Sequence, residues 1–114
     1  MSNCNCNNTT LAESNKPWEG TTLKFLLTPT ATGFDAAEDE WEVEIRYGSM
    51  GKVYKTFAKS DLVESNDGYF VVIETDGMNG LVRAIVRAYV NDEDCDNGIR
   101  KEVEVVDLCY INNI

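Results

Sequence analysis

WEVEIRY, residues 41–47, alternates without a break: Trp41, Val43, Ile45 and Tyr47 share one parity, and Glu42, Glu44 and Arg46 the other. Successive side chains of a strand point to opposite faces, so this heptapeptide reads as a β-strand with one face in a core and one in water. The "GSMG" that follows at 48–51 is a tight connection into "KVYKTFA", residues 52–58, and the two segments read as a hairpin.

The same period spreads outward in both directions. Upstream, "TLKFLLT" at 22–28 puts Leu23, Phe25 and Leu27 on one face. Downstream, "KSDLVESNDG" carries two turn signals, with room for a single capped helical turn at 60–62, before "YFVVIE" at 69–74. After the turn "TDGMNG", residues 81–90 set Val82, Ala84, Val86, Ala88 and Val90 against Leu81, Arg83, Ile85, Arg87 and Tyr89. β-branched content and flanking glycines favour a strand over a helix there. The last segment, "IRKEVEVVDLCYI", alternates through Val103 and Val105 and then changes phase, since Val106, Leu108 and Tyr110 have the opposite parity. One extra residue near Val105 and Val106 would restore a single inward face, so a β-bulge is expected there. Six strands result, seven if residues 30–40 add an edge, and a two-sheet antiparallel sandwich closes that many short strands over one core.

The stretch that most resembles chemistry is "NDEDCDNGIR", residues 91–100. Asp92, Asp94 and Asp96 alternate as at the opening of a calcium loop, and hard cations take clustered oxygens. The rest of that pattern fails, because Asn97 stands where the loop needs glycine and Val103 where it needs the closing Glu. A turn accounts for more residues: Asn97 and Gly98 supply the positive φ values of a tight hairpin while the acids stay hydrated.

Composition narrows the function classes. The 114 residues fit one domain, large enough to bury roughly two-thirds of its unfolded surface. Ten Lys plus Arg against twenty Asp plus Glu give a formal charge of −10, which repels nucleic-acid phosphates and suits basic protein surfaces. No apolar run reaches the ~20 residues of a membrane span, and no basic segment leads into an apolar one at the N-terminus, so synthesis in the cytoplasm is expected. Cys4, Cys6, Cys95 and Cys109 are then read as thiols.

The absence of histidine removes the commonest general base and metal ligand. The four cysteines lack zinc-site spacing, the alternating Glu of "EDEWEVE" reads as a solvent face rather than an acid and base pair, and each glycine punctuates a strand rather than a phosphate loop. No catalytic residue, cofactor or metal site is therefore assigned. Lys52, Lys55 and Lys59 cluster on one hairpin, opposite in sign to the rest of the chain, and read either as a solvated face or as a docking patch for an acidic neighbour. Residues 1–19, rich in Asn, Ser and Thr and ending around Pro17 and Trp18, read as an extended polar arm ahead of a sandwich at 20–114.

The succession "WEVEIRYGSMGKVYKTFAKSDL", "GYFVVIETDGMNGLVRAIVRAYVND" and "DNGIRKEVEVVD" resembles small immunoglobulin-like virion structural proteins of tailed phages of Bacteroidales, including crAss-like phages, and is similar to the N-terminal sandwich of phage baseplate upper proteins. The likeness covers about residues 20–111 and rests on Trp41–Glu44, Val53–Lys55, Asn97–Arg100 and the closing valines; the sequence departs from the pattern at "GMNG" and in its cysteine-bearing arm. The resemblance implies an immunoglobulin-like sandwich without catalytic residues. Because the sequence stops after "CYINNI", a head-associated role is expected: an auxiliary capsid or decoration protein, or a head-fibre component, docking through its sandwich and arm. The expected partners are the major capsid protein, neighbouring head or fibre subunits, and further copies of the chain; nucleic acid and membrane are not among them. Pro17, Trp18, Lys52, Lys55 and Lys59 are the interaction residues assigned. The alternative is a tail or baseplate adhesion module that binds host-surface carbohydrate through Trp18, Tyr47 or Tyr89.

Overall fold

The computed structural model describes residues 2–6 and 17–113. Eight strands follow one another: β1 (Ser2–Cys6), β2 (Thr22–Pro29), β3 (Glu40–Tyr47), β4 (Lys52–Ala58), β5 (Val63–Ser65), β6 (Gly68–Glu74), β7 (Gly80–Asn91) and β8 (Ile99–Ile111). They form two antiparallel sheets, ordered β1-β2-β6-β5 and β4-β3-β7-β8. With strands lettered in chain order and β4 as C′, the sheets read ABED and C′CFG, the connectivity of an immunoglobulin-like sandwich. None of the helices in the described residues is long and apolar enough to cross a membrane.

The core is the inward parity of the alternating segments. Leu23, Phe25 and Leu27 of β2 and Val71 and Ile73 of β6 meet Val43 and Ile45 of β3 and Val82, Ala84, Val86 and Ala88 of β7, all without solvent exposure. Across the β3–β7 ladder large residues stand beside small ones, Trp41 next to Ala88 and Ile45 next to Ala84, so bulky side chains alternate with small ones along the row. Trp41 meets the Tyr69 ring edge-on at 5.0 Å and donates its indole N–H to the Ala36 carbonyl at 2.9 Å. The buried polar side chain, Thr75, donates its hydroxyl to the Thr21 carbonyl at 2.6 Å and accepts from the Gly20 amide at 2.9 Å. Burial there costs little because both capacities are met.

The strand count differs from the sequence expectation in two places. The arm's residues 2–6 pair with β2, Cys4 opposite Leu27 and Cys6 opposite Phe25, so the arm completes its own chain's sheet. Backbone pairing needs no apolar pattern, which is why this polar stretch gives no strand signal. Val63–Ser65 forms a second, three-residue edge strand, whereas residues 30–39 add none. Arm positions 1 and 7–16, with the thiols of Cys4 and Cys6, lie outside the described residues.

The final strand corrects the expected bulge. The register slips between Val82, which faces Cys109, and Arg83, which faces Asp107, so Leu108 is the extra residue. Upstream of it the inward parity is Glu102, Glu104 and Val106, paired with Ala88, Val86 and Ala84, and the outward parity is Val103 and Val105. Those two valines are 60% and 56% exposed. A second bulge, at Tyr54 of β4, aims that phenol across the sandwich, where its oxygen accepts from the Glu74 amide at 3.2 Å.

Gly68 begins β6 at φ +150°, and a Cβ there would fall against the Leu27 carbonyl oxygen and 2.8 Å from Thr28 Cγ2. Gly77, at φ +79°, has nothing within 4 Å of the same position. Gly68→Ala is expected to cost about 2–3 kcal/mol, from backbone overlap at a strand junction, and Gly77→Ala about 1 kcal/mol, from the left-handed conformation alone. Urea unfolding of both variants measures the difference, and equal losses would contradict the close approach of β6 to β2.

Candidate functional site: the outer face of the second sheet

The hairpin between β7 and β8 is a hydrogen-bonded turn. Asn97 and Gly98 take φ of +62° and +72°, as expected from the sequence. The Asp92 amide donates to the Gly98 carbonyl at 2.9 Å and the Gly98 amide to the Cys95 carbonyl at 2.9 Å. Both Asp92 carboxylate oxygens are occupied: Oδ1 accepts from the Asp94 amide at 3.0 Å and Oδ2 from Arg100 Nη1 at 2.7 Å. The Asp94 amide first, and then Arg100, hold the Asp92 carboxyl below its ordinary pKa. Arg100 also bonds Glu102 at 2.9 Å and the Thr32 carbonyl, tying the hairpin to the β2–β3 loop. Among the described residues no three His, Cys, Asp or Glu side chains converge as a metal site.

The sequence-assigned interaction residues are dispersed. Pro17 is buried, and its carbonyl accepts the Asn112 amide at 2.8 Å; Trp18 bridges to the same Asn112 and is 51% exposed. The two therefore anchor the start of the domain beside the end of β8. Lys59 directs its ammonium at the Ala37 and Asp39 carbonyls, 3.1 and 2.9 Å away, and so fastens the β2–β3 loop. Lys55 lies over the Phe57 ring at 4.9 Å, and Lys52, at the far end of β4 from Lys59, is exposed. Of the aromatics considered for carbohydrate, Tyr47 packs on the core, and Tyr89 lies at the other end of the β3–β7 ladder.

A coherent surface appears instead on the outer face of β4-β3-β7-β8. Reading across β3, β7 and β8, the ladder sets Glu40, Tyr89 and Lys101 in one row and Glu42, Arg87 and Val103 in the next. Glu44, Ile85 and Val105 follow, and then Arg46, Arg83 and Asp107. Four acids and four bases balance on this face, in a chain whose formal charge is −10. Neighbouring charges are paired: Arg46 with Glu44 at 2.9 Å, Arg83 with Asp107 at 3.0 Å, and Arg87 with Glu42 at 3.6 Å and Glu44 at 3.3 Å. Val103, Val105 and the half-buried Ile85 form the apolar strip between them. At the lower end a cleft of 330 Å³, lined by Arg46, Met50, Leu81, Arg83, Ile85 and Val105, continues the strip, with Met50 92% exposed.

The opposite sheet has a smaller counterpart, in which Lys24 covers the Phe70 ring at 4.3 Å. Sequence reasoning missed the valine strip because it took the parity of Val103 and Val105 for the inward one. The signal was the alternation of those valines with Glu102 and Glu104, read from the wrong side. Compared with known proteins, the chain matches no family model, no curated protein and no solved structure.

Two outcomes follow from this geometry. With Asp92 committed to Arg100 and to its own turn, calcium titration is expected to give no heat and no change in melting temperature; a rise in melting temperature would reverse that assignment. Burial pushes the Glu44 carboxyl up, but Arg46 and Arg87 together outweigh it, leaving the folded pKa lowered. A depressed folded pKa contributes stability above the unfolded value, and that stability fades as pH falls through the folded value. Glu44→Gln is therefore expected to melt lower than the parent at pH 7 and to converge with it in strong acid, as thermal melts across pH would show.

Proposed function

We propose that this chain is a non-enzymatic assembly protein of a tailed-phage particle, held on the head by the outer face of its β4-β3-β7-β8 sheet. The observation that carries this reading is the charge-balanced, valine-centred face on a strongly acidic chain. Net charge keeps the rest of the surface hydrated and self-repelling, whereas the face offers apolar area flanked by charges that balance in number and are mostly paired. A rigid sandwich suits such a role because interfaces built on strands are positionally fixed. The virion setting is supported by the immunoglobulin-like connectivity together with the resemblance of residues 20–111 to phage virion sandwiches.

The partners on this reading are the major capsid protein or adjoining head and fibre subunits. The N-terminal strand takes part by closing the β2 edge with main-chain hydrogen bonds, so the docking load rests on the sheet face and not on a free arm. Mass spectrometry of purified particles is expected to find the protein at a fixed ratio to the major capsid protein. The double variant Val103→Glu and Val105→Glu, folded by circular dichroism, should lose at least about 90% of that occupancy, as expected when an interface core acquires unpaired charge. Absence of the parent protein from particles, together with binding on a glycan array, would move the chain to the adhesion class.

A further inference from the structure

The order of residues on the outer face is self-complementary, and the geometry points to a second copy of this chain as its occupant, packed face to face about a two-fold axis that runs across the strands between Val103 and Val105. This rests on the reading of that face as the docking surface and names its occupant in the free protein, a second copy that a head subunit displaces on assembly. Along β8 the outward residues run Lys101, Val103, Val105, Asp107. Reversal about the midpoint sets Lys101 against Asp107 and Val103 against Val105 of the second copy.

The same operation acts on the neighbouring strands. On β3 it brings Glu40 over Arg46, and on β7 it brings Tyr89 over Arg83, an arginine-on-ring contact. The one like-charge approach is Glu42 over Glu44. Arg87 bridges both of those carboxylates within its own chain, at 3.6 and 3.3 Å, and Arg46 bonds Glu44 at 2.9 Å, so two guanidiniums offset the two carboxylates of each copy. A two-fold interface requires this property, that each patch complement itself.

Pairing of the two β8 edges is disfavoured by contrast. Glu102 and Glu104 have the inward parity of β8. Antiparallel pairing of two edges about the same midpoint would set Glu104 directly opposite Glu104. Inward-pointing charge on an edge strand is a known guard against such pairing. Face-to-face packing leaves those residues untouched, since only outward side chains meet, at the ~10 Å sheet spacing of a sandwich. Four strands about 4.8 Å apart and about ten residues of about 3.3 Å rise give roughly 600 Å² per copy, which places the pair at the low end of specific interfaces and makes it a weak, reversible dimer.

Sedimentation equilibrium from about 1 μM to about 1 mM tests this on the full chain, with a melt recorded for every variant. The parent is expected to dimerise with a dissociation constant on the order of 10 μM, and Val103→Glu with Val105→Glu to raise it at least about 100-fold. Lys101→Asp should raise it about tenfold, and adding Asp107→Lys should return it to within about threefold of the parent, because the swap restores opposite charges across the axis. A parent that stays monomeric throughout, a dimer unaffected by the glutamates, or a charge swap without rescue would each overturn the two-fold register. The two readings fail separately. A monomer whose particle occupancy still depends on Val103 and Val105 keeps the docking role and loses the second copy, while a dimer missing from particles does the reverse.

Discussion

The pairing of β3 with β7 is the constraint from which both faces of the second sheet derive. Trp41, Val43 and Ile45 lie opposite Ala88, Val86 and Ala84 on the inner side. A slip of one residue would expose those side chains and drive Glu42 and Glu44 into the core. Each misplaced apolar side chain of that size costs about 1.5–3 kcal/mol, before any charge is buried. The inner face therefore fixes the register, and the register then fixes which charges are neighbours outside. Arg87 reaches Glu42 and Glu44 because the hydrophobic ladder leaves it nowhere else.

Each sheet has two edges, and the chain treats all four differently. β1 covers β2 and takes its place as the edge, so the polar arm contributes main-chain pairing. The β5 edge is three residues long, too short to template another strand. On β4 the bulge at Tyr54 breaks the ladder, and the displaced phenol is used to hold β6. β8 is the long edge, thirteen residues, and it carries inward acids and the bulge at Leu108. Backbone templating is thus restrained at the β5, β4 and β8 edges, and β1 stands as the fourth edge.

Period-two alternation made the central strands legible: the inward sets of residues 23–27, 41–45 and 82–90 are the buried sets. Turn chemistry was equally readable, since Asn97 and Gly98 adopt the left-handed conformation their residue types favour. Two kinds of feature were not legible. β1 and β5 owe their existence to a partner's edge, and pairing of that origin leaves no mark in their own composition. The parity of β8 was misread because an edge strand at the rim of the core does not have to turn its most apolar residues inward. Its inward positions at 102 and 104 hold glutamates, and Glu102 keeps its charge satisfied by Arg100 at 2.9 Å. The charge-balanced outer face lay hidden behind that one assumption.

A formal charge of −10 bears on association as much as on solubility. Over distances beyond the ~8 Å Debye length of physiological salt, two copies sense each other weakly, and closer in the acidic majority of the surface repels in most orientations. A face with four acids and four bases escapes that repulsion only when it meets a surface whose charges alternate in step with its own. Specificity then comes from the background as well as from the patch, because every other approach is penalised. On this argument the acidity of the chain and the neutrality of one sheet face are a single device, and more acid elsewhere on the surface would sharpen selection of this face.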